Sequence, residues 1–120
     1  MIYIIDDDKS VRRSFEILFA SAGLVSMSYA CAKKFLDEYT QSGSDLLLLD
    51  IHMPEINGLE LLRILKEKKI NVPVIIITAY DEEESRQCAK DYGIIDYLVK
   101  PVDSNALVDL INTSLKRQSS

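Results

Sequence analysis

The sequence predicts an α/β fold in which parallel strands and helices alternate within one doubly wound domain. Two observations support this prediction. Short apolar runs recur along the chain, and stretches with apolar residues three or four positions apart separate them. Gly, Pro and Asn also stand between many of these segments, as is typical of turns. This alternation indicates repeated βα units around a parallel sheet, and a length of 120 residues suits a single domain.

The apolar runs predict five strands, at residues 2–5, 24–29, 45–50, 73–78 and 95–99. The third run reads DLLLLD and is apolar between its ends, which is typical of a strand buried on both faces. Its last residue is Asp50. Because a buried carboxylate is costly without a cation, hydrogen bonds or a functional role, Asp50 is the first candidate functional residue.

Four of the five predicted helices carry a clear apolar stripe. The first helix ends at Gly23, in the C-cap position, and its stripe is formed by Val11, Phe15, Leu18, Phe19 and Ala22. The second stripe is formed by Ala32, Phe35, Leu36 and Tyr39. The third follows a turn marked by Pro54 and Asn57-Gly58, and is formed by Leu61, Leu62 and Leu65. The last helix has Asp103 as its candidate N-cap and a stripe of Leu107, Leu110, Ile111 and Leu115.

The fourth predicted helix, at residues 81–92, differs from the others. Its sequence DEEESRQCAKDY offers little more than Cys88, Ala89 and Tyr92 for burial. A helix with so narrow an apolar stripe is weakly anchored, and weakly anchored elements can shift. The alternative interpretation is a helix that is simply exposed.

Charge and composition exclude several functional classes. A formal net charge of −5 argues against direct nucleic-acid binding, which needs a basic surface. No apolar stretch is long enough to span a membrane and no signal-peptide pattern is present, so we expect a cytoplasmic protein. Cys31 and Cys88 lie far apart in the sequence and give no evidence for a disulfide framework or a zinc site.

Polar side chains stand repeatedly at the ends of the predicted strands. Asp6 and Asp7 end the first strand, Asp50 the third and Thr78 the fourth, while Lys100 follows the fifth. In open parallel sheets, functional groups gather at the carboxyl ends of the strands. Clustered carboxylates repel one another unless a cation intervenes, and their oxygens suit Mg²⁺. An ammonium and a hydroxyl beside them would favour phosphoryl transfer, with Asp50 as the nucleophile.

Four stretches in this order and spacing resemble the receiver domain of bacterial two-component response regulators: IIDDD, LLLLDIHMP followed by NG, IIITAY, and DYLVKP. The resemblance covers essentially the whole chain, residues 1–120. It implies a flavodoxin-like (βα)5 fold with strand order 2-1-3-4-5. It also implies phosphorylation by a sensor histidine kinase, followed by a change in the surface of helix 4, strand 5 and helix 5. That surface would then control an effector, with transcription the expected output, or would promote a homodimer.

Carried over to this sequence, the resemblance assigns roles to individual residues. Asp50 becomes the phosphoacceptor, and Asp6 and Asp7 the acidic pair for Mg²⁺. The backbone carbonyl of His52 becomes a further metal ligand, and Lys100 pairs with a phosphoryl oxygen. The remaining family positions are Thr78 as the switch hydroxyl, Ala79 as the small residue beside the phosphoryl group, and Tyr97 as the aromatic that moves with Thr78. A tyrosine half buried at the sheet edge is the alternative interpretation of Tyr97.

Two bulky residues occupy variable positions flanking the site. His52 and Tyr80 lie two residues after the acceptor and the switch threonine, and we expect them to tune rates rather than define the class. A metal-dependent phosphatase with an aspartate nucleophile is the main alternative function. It would carry a second aspartate where His52 stands, and this chain has no insertion to hold a substrate. A receiver-like binding module that acts without phosphate is the other alternative.

Overall fold

A computed structural model describes residues 1–41 and 43–118 and confirms the predicted architecture. Five parallel strands alternate with five helices, and the sheet has the strand order β2-β1-β3-β4-β5. The strands are β1 Ile2–Ile5, β2 Ser26–Tyr29, β3 Leu46–Leu49, β4 Val74–Thr78 and β5 Asp96–Val99. The helices are α1 Lys9–Ser21, α2 Ala32–Glu38, α3 Gly58–Glu67, α4 Glu83–Asp91 and α5 Ser104–Gln118. The predicted domain end, Ser120, lies outside the described residues.

The core is divided between the two faces of the sheet. Successive side chains of a strand point to opposite faces. In β3, Leu47 and Leu49 therefore join one core cluster with Phe35 of α2, whereas Leu46 and Leu48 join a second cluster. The second cluster is completed by α1 and α5. All four leucines are at most 2% exposed, so β3 is buried on both faces, as its unbroken apolar run predicts.

β1 has its predicted bounds, and the other four strands are slightly shorter than the predicted runs. The largest difference is in β2, which begins at Ser26 rather than at Leu24. Gly23 follows the C-cap residue of α1 with a φ of 76°, and the amide of Leu24 donates to the carbonyl of Phe19 at 2.8 Å. The amide of Leu24 therefore closes the end of α1, and β2 can begin only after this turn.

Side chains cap three of the helices that frame the sheet, α1, α3 and α5. The Asp8 carboxylate accepts hydrogen bonds from the amides of Ser10 and Val11 at the start of α1. Asp103 accepts from the amide of Ala106 in α5, which confirms its predicted capping role. Asn57 forms a capping box with Glu60 at the start of α3. The Asn57-Gly58 pair thus begins a helix.

α4 is weakly anchored because the one side chain that it buries fully is small, whereas α1, which also buries one, buries a phenylalanine. Of its nine residues, all of them described, Ala89 alone is buried, and Cys88 is partly exposed. Its N-cap residue, Glu82, makes no side-chain capping hydrogen bond. The narrow stripe in the sequence therefore predicted correctly how little of this helix is buried. Within residues 1–41 and 43–118, no helix is long and apolar enough to cross a membrane.

Candidate functional site

The register of the sheet brings the acidic residues together at its carboxyl edge. Ile5 of β1 pairs with Leu49 of β3, so the residues that follow them, Asp6 and Asp50, leave the sheet side by side. The amide of Asp50 donates to the carbonyl of Ile5 at 3.0 Å, which fixes the end of β3 against β1. The position of both carboxylates therefore follows directly from strand pairing.

Three carboxylates form an acidic pocket at this edge. Asp6, Asp7 and Asp50 each offer one oxygen, and these oxygens all lie within 4.8 Å of one another. Asp6 is 3% exposed and Asp50 is 8% exposed, whereas Asp7 faces solvent. The amide of Asp8 donates to the Asp6 carboxylate at 2.9 Å and helps to hold it in place. The predicted acidic cluster is thus present, with one side open to water.

Lys100 supplies the positive charge in this pocket. Its Nζ lies 3.1 Å from Oδ2 of Asp6 and 3.9 Å from Oδ2 of Asp50. The backbone amide of Lys100 donates to the carbonyl of Thr78 at 2.7 Å, which places the lysine at the end of β4. One ammonium therefore contacts two carboxylates that come from strands β1 and β3.

The electrostatic environment of Asp50 disfavours its charged form. Burial raises the pKa of Asp50, and the charge of Asp6 raises it further. Lys100 and the amide of His52, which donates to Oδ1 of Asp50 at 3.2 Å, lower the pKa but do not cancel this effect. The pocket therefore holds more negative charge than Lys100 alone compensates.

The two predicted switch residues, Thr78 at the end of β4 and Tyr97 in β5, are both buried. The hydroxyl of Thr78 donates to the carbonyl of Tyr80 and accepts from its amide, both at 3.2 Å. Tyr97 is 5% exposed, so it is not the half-buried edge residue of the alternative interpretation. Its hydroxyl makes no well-formed hydrogen bond in the part of the chain that the structure describes, although the nearby backbone of Glu82 acts to lower its pKa. The guanidinium of Arg86 in α4 lies 4.7 Å from the centre of the Tyr97 ring.

His52 and Tyr80, the two residues expected to tune rates, contact each other through their side chains. Their ring centres are 5.3 Å apart and the rings are perpendicular. Tyr80 is 65% exposed. Nε2 of His52 also lies 3.1 Å from Oε1 of Glu82, the residue that precedes α4. Side-chain contacts therefore link the loop after β3 to the loop after β4.

Three features of the site were not predicted from the sequence: the Glu82 contact and the roles of Arg12 and Gly58. Nη1 of Arg12 donates to the backbone carbonyl of Asp6 at 2.8 Å and so supports the loop after β1. A Cβ on Gly58 would lie 2.6 Å from the carbonyl oxygen of Asp50, so only glycine fits there. The NG pair marked Gly58 as a turn residue, but no sequence signal marks a close approach between backbones.

The donor set fits a hard divalent cation. Carboxylate oxygens are the ligands that Mg²⁺ prefers, and the exposed side of the pocket leaves room for its water molecules. The net negative charge around Asp50 would be relieved by such an ion. The same arrangement places an ammonium beside a carboxylate oxygen of Asp50, which suits transfer of a phosphoryl group to that carboxylate.

Comparison with known protein families gives one match over most of the chain. The family model described as the response regulator receiver domain matches residues 2–112. This segment contains all of the acidic pocket, Lys100 and both predicted switch residues.

Individual relatives agree with this match. The chain is 36% identical over 113 residues to the DNA-binding transcriptional regulator NtrC of Klebsiella pneumoniae, covering 94% of this chain and 24% of that protein. It is 34% identical over 116 residues to the response regulator protein TodT of Pseudomonas putida, covering 97% and 51%. The solved structure of the response regulator StyR is 32% identical with a TM-score of 0.90, covering 98% and 60%. The chain thus spans about a quarter of the length of NtrC and about half that of TodT.

Proposed function

We propose that Asp50 is the phosphoacceptor of a signalling switch, starting from the fact that this chain belongs to the response regulator receiver family. A member of this family is a phosphoacceptor switch rather than a catalytic enzyme. The observation that carries the proposal is the contact of Lys100 with both Asp6 and Asp50 at the edge of the acidic pocket. Such an arrangement combines an acceptor, a cation site and a fixed ammonium.

The donor is a phosphohistidine on a sensor histidine kinase. A carboxylate oxygen of Asp50 attacks phosphorus, the phosphorus–nitrogen bond breaks, and an acyl phosphate forms while the histidine nitrogen leaves with the bonding electrons. Lys100 pairs with one phosphoryl oxygen, and the hydroxyl of Thr78 donates to another. Asp6, Asp7, Asp50 and the backbone carbonyl of His52 hold Mg²⁺. When bound, Mg²⁺ neutralises the charge that gathers as the phosphoryl group arrives.

The signal leaves the site through α4, β5 and α5. A phosphoryl group draws the hydroxyl of Thr78 away from Tyr80, and Tyr97 and α4 adjust to the new position of the β4–α4 loop. The weak anchoring of α4 and the contact of Arg86 with the Tyr97 ring support this route. Phosphorylation rebalances two pre-existing states of this surface.

The output is control of an effector, with transcription as the expected process. NtrC, a relative of this chain, is named as a DNA-binding transcriptional regulator. We propose that the receiver acts there through protein contacts, including a homodimer through α4, β5 and α5. Its net charge of −5 argues against a direct grip on DNA. We propose that residues 1–120 act as one receiver domain in the cytoplasm.

The lifetime of the acyl phosphate is tuned by His52 and Tyr80. The two rings contact each other, and they belong to the loops after β3 and β4, where a hydrolytic water would approach the phosphoryl group. Bulk at this position screens the group and prolongs the signal. The opposite role, in which the imidazole of His52 orients the water and speeds hydrolysis, is the competing hypothesis.

Two alternatives remain from the sequence. The phosphatase is disfavoured because the chain belongs to a family of phosphoacceptor switches. A binding module that acts without phosphate is distinguished by experiment, since it would not depend on labelling of Asp50.

Labelling of Asp50 tests the proposal directly. Wild type and Asp50→Asn are incubated with a small phosphodonor or a phosphorylated kinase domain, with Mg²⁺ or with a chelator, and the modified residue is mapped by mass spectrometry. We expect label on Asp50 of the wild type with Mg²⁺, and neither the variant nor the chelated sample should carry it. Equal labelling of wild type and variant would disprove the assignment.

A further inference from the structure

The contact between His52 and Glu82 links the loop after β3 to the start of α4. His52 belongs to the loop after β3, and Glu82 is the last residue before α4. Their side chains approach to 3.1 Å between Nε2 and Oε1. The backbone amide of His52 donates to Oδ1 of Asp50. The same residue therefore contacts the acceptor through its backbone and the start of α4 through its side chain.

The carboxylate of Glu82 is free for this contact because it does not cap its own helix. The residue at the N-cap position usually accepts a hydrogen bond from an amide in the first helical turn. Glu82 makes no such side-chain bond, and its carboxylate lies against His52 instead. Glu83 and Glu84, the next two residues, carry the same charge and are exposed. Glu82 is thus distinguished from its neighbours by its geometry, although its charge is the same.

The contact restrains the imidazole in one orientation. Nε2 of the ring lies 3.1 Å from a carboxylate oxygen of Glu82, so this nitrogen is directed toward the start of α4. The ring also lies edge-on to Tyr80, with the rings at 89° to each other. Tyr80 and Glu82 both belong to the loop between β4 and α4, and together they restrain the ring of His52. Because the side chains of His52 and Glu82 are 40% and 55% exposed, the contact itself is weak, and its effect is on position rather than on global stability.

We propose that Glu82 is a positioning residue that holds the imidazole of His52 over the mouth of the phosphorylation site, where the ring screens the acyl phosphate from water. This proposal rests on the proposed function of Asp50. It assigns the screening role to His52 and makes the start of α4 part of the device that sets the lifetime of the signal. Without the Glu82 side chain, the ring of His52 can turn into solvent, and water can then reach the acyl phosphate.

The first experiment measures the position of the ring without any phosphodonor. His52 is the one histidine of the sequence, so ¹³C relaxation of labelled imidazole carbons reports this side chain alone. We expect a restrained ring in the wild type, a lower order parameter in Glu82→Ala, and the wild-type value in Glu83→Ala. Glu82→Gln keeps an acceptor oxygen and should restore the wild-type value. Equal order parameters in wild type and Glu82→Ala would overturn the proposal.

The second experiment measures loss of phosphate after labelling. We expect Glu82→Ala and His52→Ala each to shorten the lifetime by about threefold, the change that corresponds to a weak exposed contact. The double variant should match either single variant because both changes remove the same contact. Glu83→Ala should keep the wild-type lifetime. An unchanged lifetime in Glu82→Ala, or effects that multiply in the double variant, would contradict the proposal. If the wild type takes no label, the function of Asp50 has failed, and ring relaxation alone decides whether Glu82 positions His52.

Discussion

β3 and α4 lie in the same domain, but they are anchored very differently. In β3, Leu46 to Leu49 are at most 2% exposed and pack into core clusters on both faces of the sheet. In α4, Ala89 is the one buried side chain, and the other residues of the helix are partly or fully exposed. Asp50, the proposed acceptor, directly follows the strand, and the helix carries the surface that we expect to respond.

The difference shows how one small domain can combine chemistry with signalling. Phosphoryl transfer needs an acceptor held in one position, and a strand buried on both faces provides that rigidity. A response needs an element with two positions of similar free energy, and such elements have few buried contacts. The deep burial of β3 and the small buried surface of α4 therefore suit the roles that we propose for them.

The largest expected effect comes from a cavity in β3. Leu47→Ala removes a fully buried side chain and should lower the free energy of unfolding by about 3 kcal/mol. Cys88→Ala in α4 removes a partly exposed side chain, and its cost should stay below about 1 kcal/mol. Urea denaturation of both variants measures the two values. Similar losses would mean that α4 is anchored as firmly as β3, against the comparison.

A smaller effect is expected at Gly58, where the start of α3 approaches the backbone of Asp50. Gly58→Ala places a Cβ 2.6 Å from the carbonyl oxygen of Asp50 and 2.9 Å from the Cα of Ile51, so backbone must move. We expect a loss of about 2 kcal/mol, although alanine is the better helix former, together with slower labelling of Asp50. Glu83→Ala, at the first residue of α4, is the control and should change neither property. Stability and labelling equal to wild type would show that the end of β3 tolerates displacement.

The smallest effect concerns Tyr97 on β5, beneath α4. Its buried hydroxyl makes no well-formed hydrogen bond among residues 1–41 and 43–118, so Tyr97→Phe should raise the free energy of unfolding by about 1 kcal/mol near neutral pH. Burial also raises the pKa of Tyr97 above 10.0, so the folded state keeps this proton at a pH where the unfolded chain loses it. Stability therefore falls as pH rises above that value, and the variant should lose less.

Denaturation in neutral and in alkaline buffer compares the variant with the wild type. Tyr92→Phe, which changes a partly exposed tyrosine after α4, is the matched control and should bring no gain. A lower stability of Tyr97→Phe at neutral pH would mean that its hydroxyl is well satisfied in the folded protein.

Much of the fold and most of the site followed from local sequence patterns. The apolar run before Asp50 predicted a doubly buried strand, and parallel strands necessarily bring their carboxyl ends to one edge. Asp6, Asp50 and Lys100 were therefore predicted together, and the structure places them in contact. The narrow stripe of residues 81–92 likewise predicted the thin anchoring of α4.

The contacts that sequence reasoning missed depend on how two loops lie relative to each other. Glu82 reaches His52 because the loops after β3 and β4 run side by side, and no periodicity records that arrangement. Gly58 is required by the close approach of α3 to the carbonyl of Asp50, although its NG pair resembles an ordinary turn signal. The start of β2 was also misplaced, because Leu24 closes α1 rather than opening the strand.

Amide hydrogen exchange with and without a beryllofluoride mimic of the phosphoryl group tests the central claim most directly. We expect the mimic, added with Mg²⁺, to change amide protection in α4, β5 and α5 and to leave the amides of β3 as strongly protected as before. Asp50→Asn, treated in the same way, should show no change in any element. Unchanged protection across residues 81–115 of the wild type, with the mimic bound, would contradict the claim that a rigid strand acts on a weakly anchored helix.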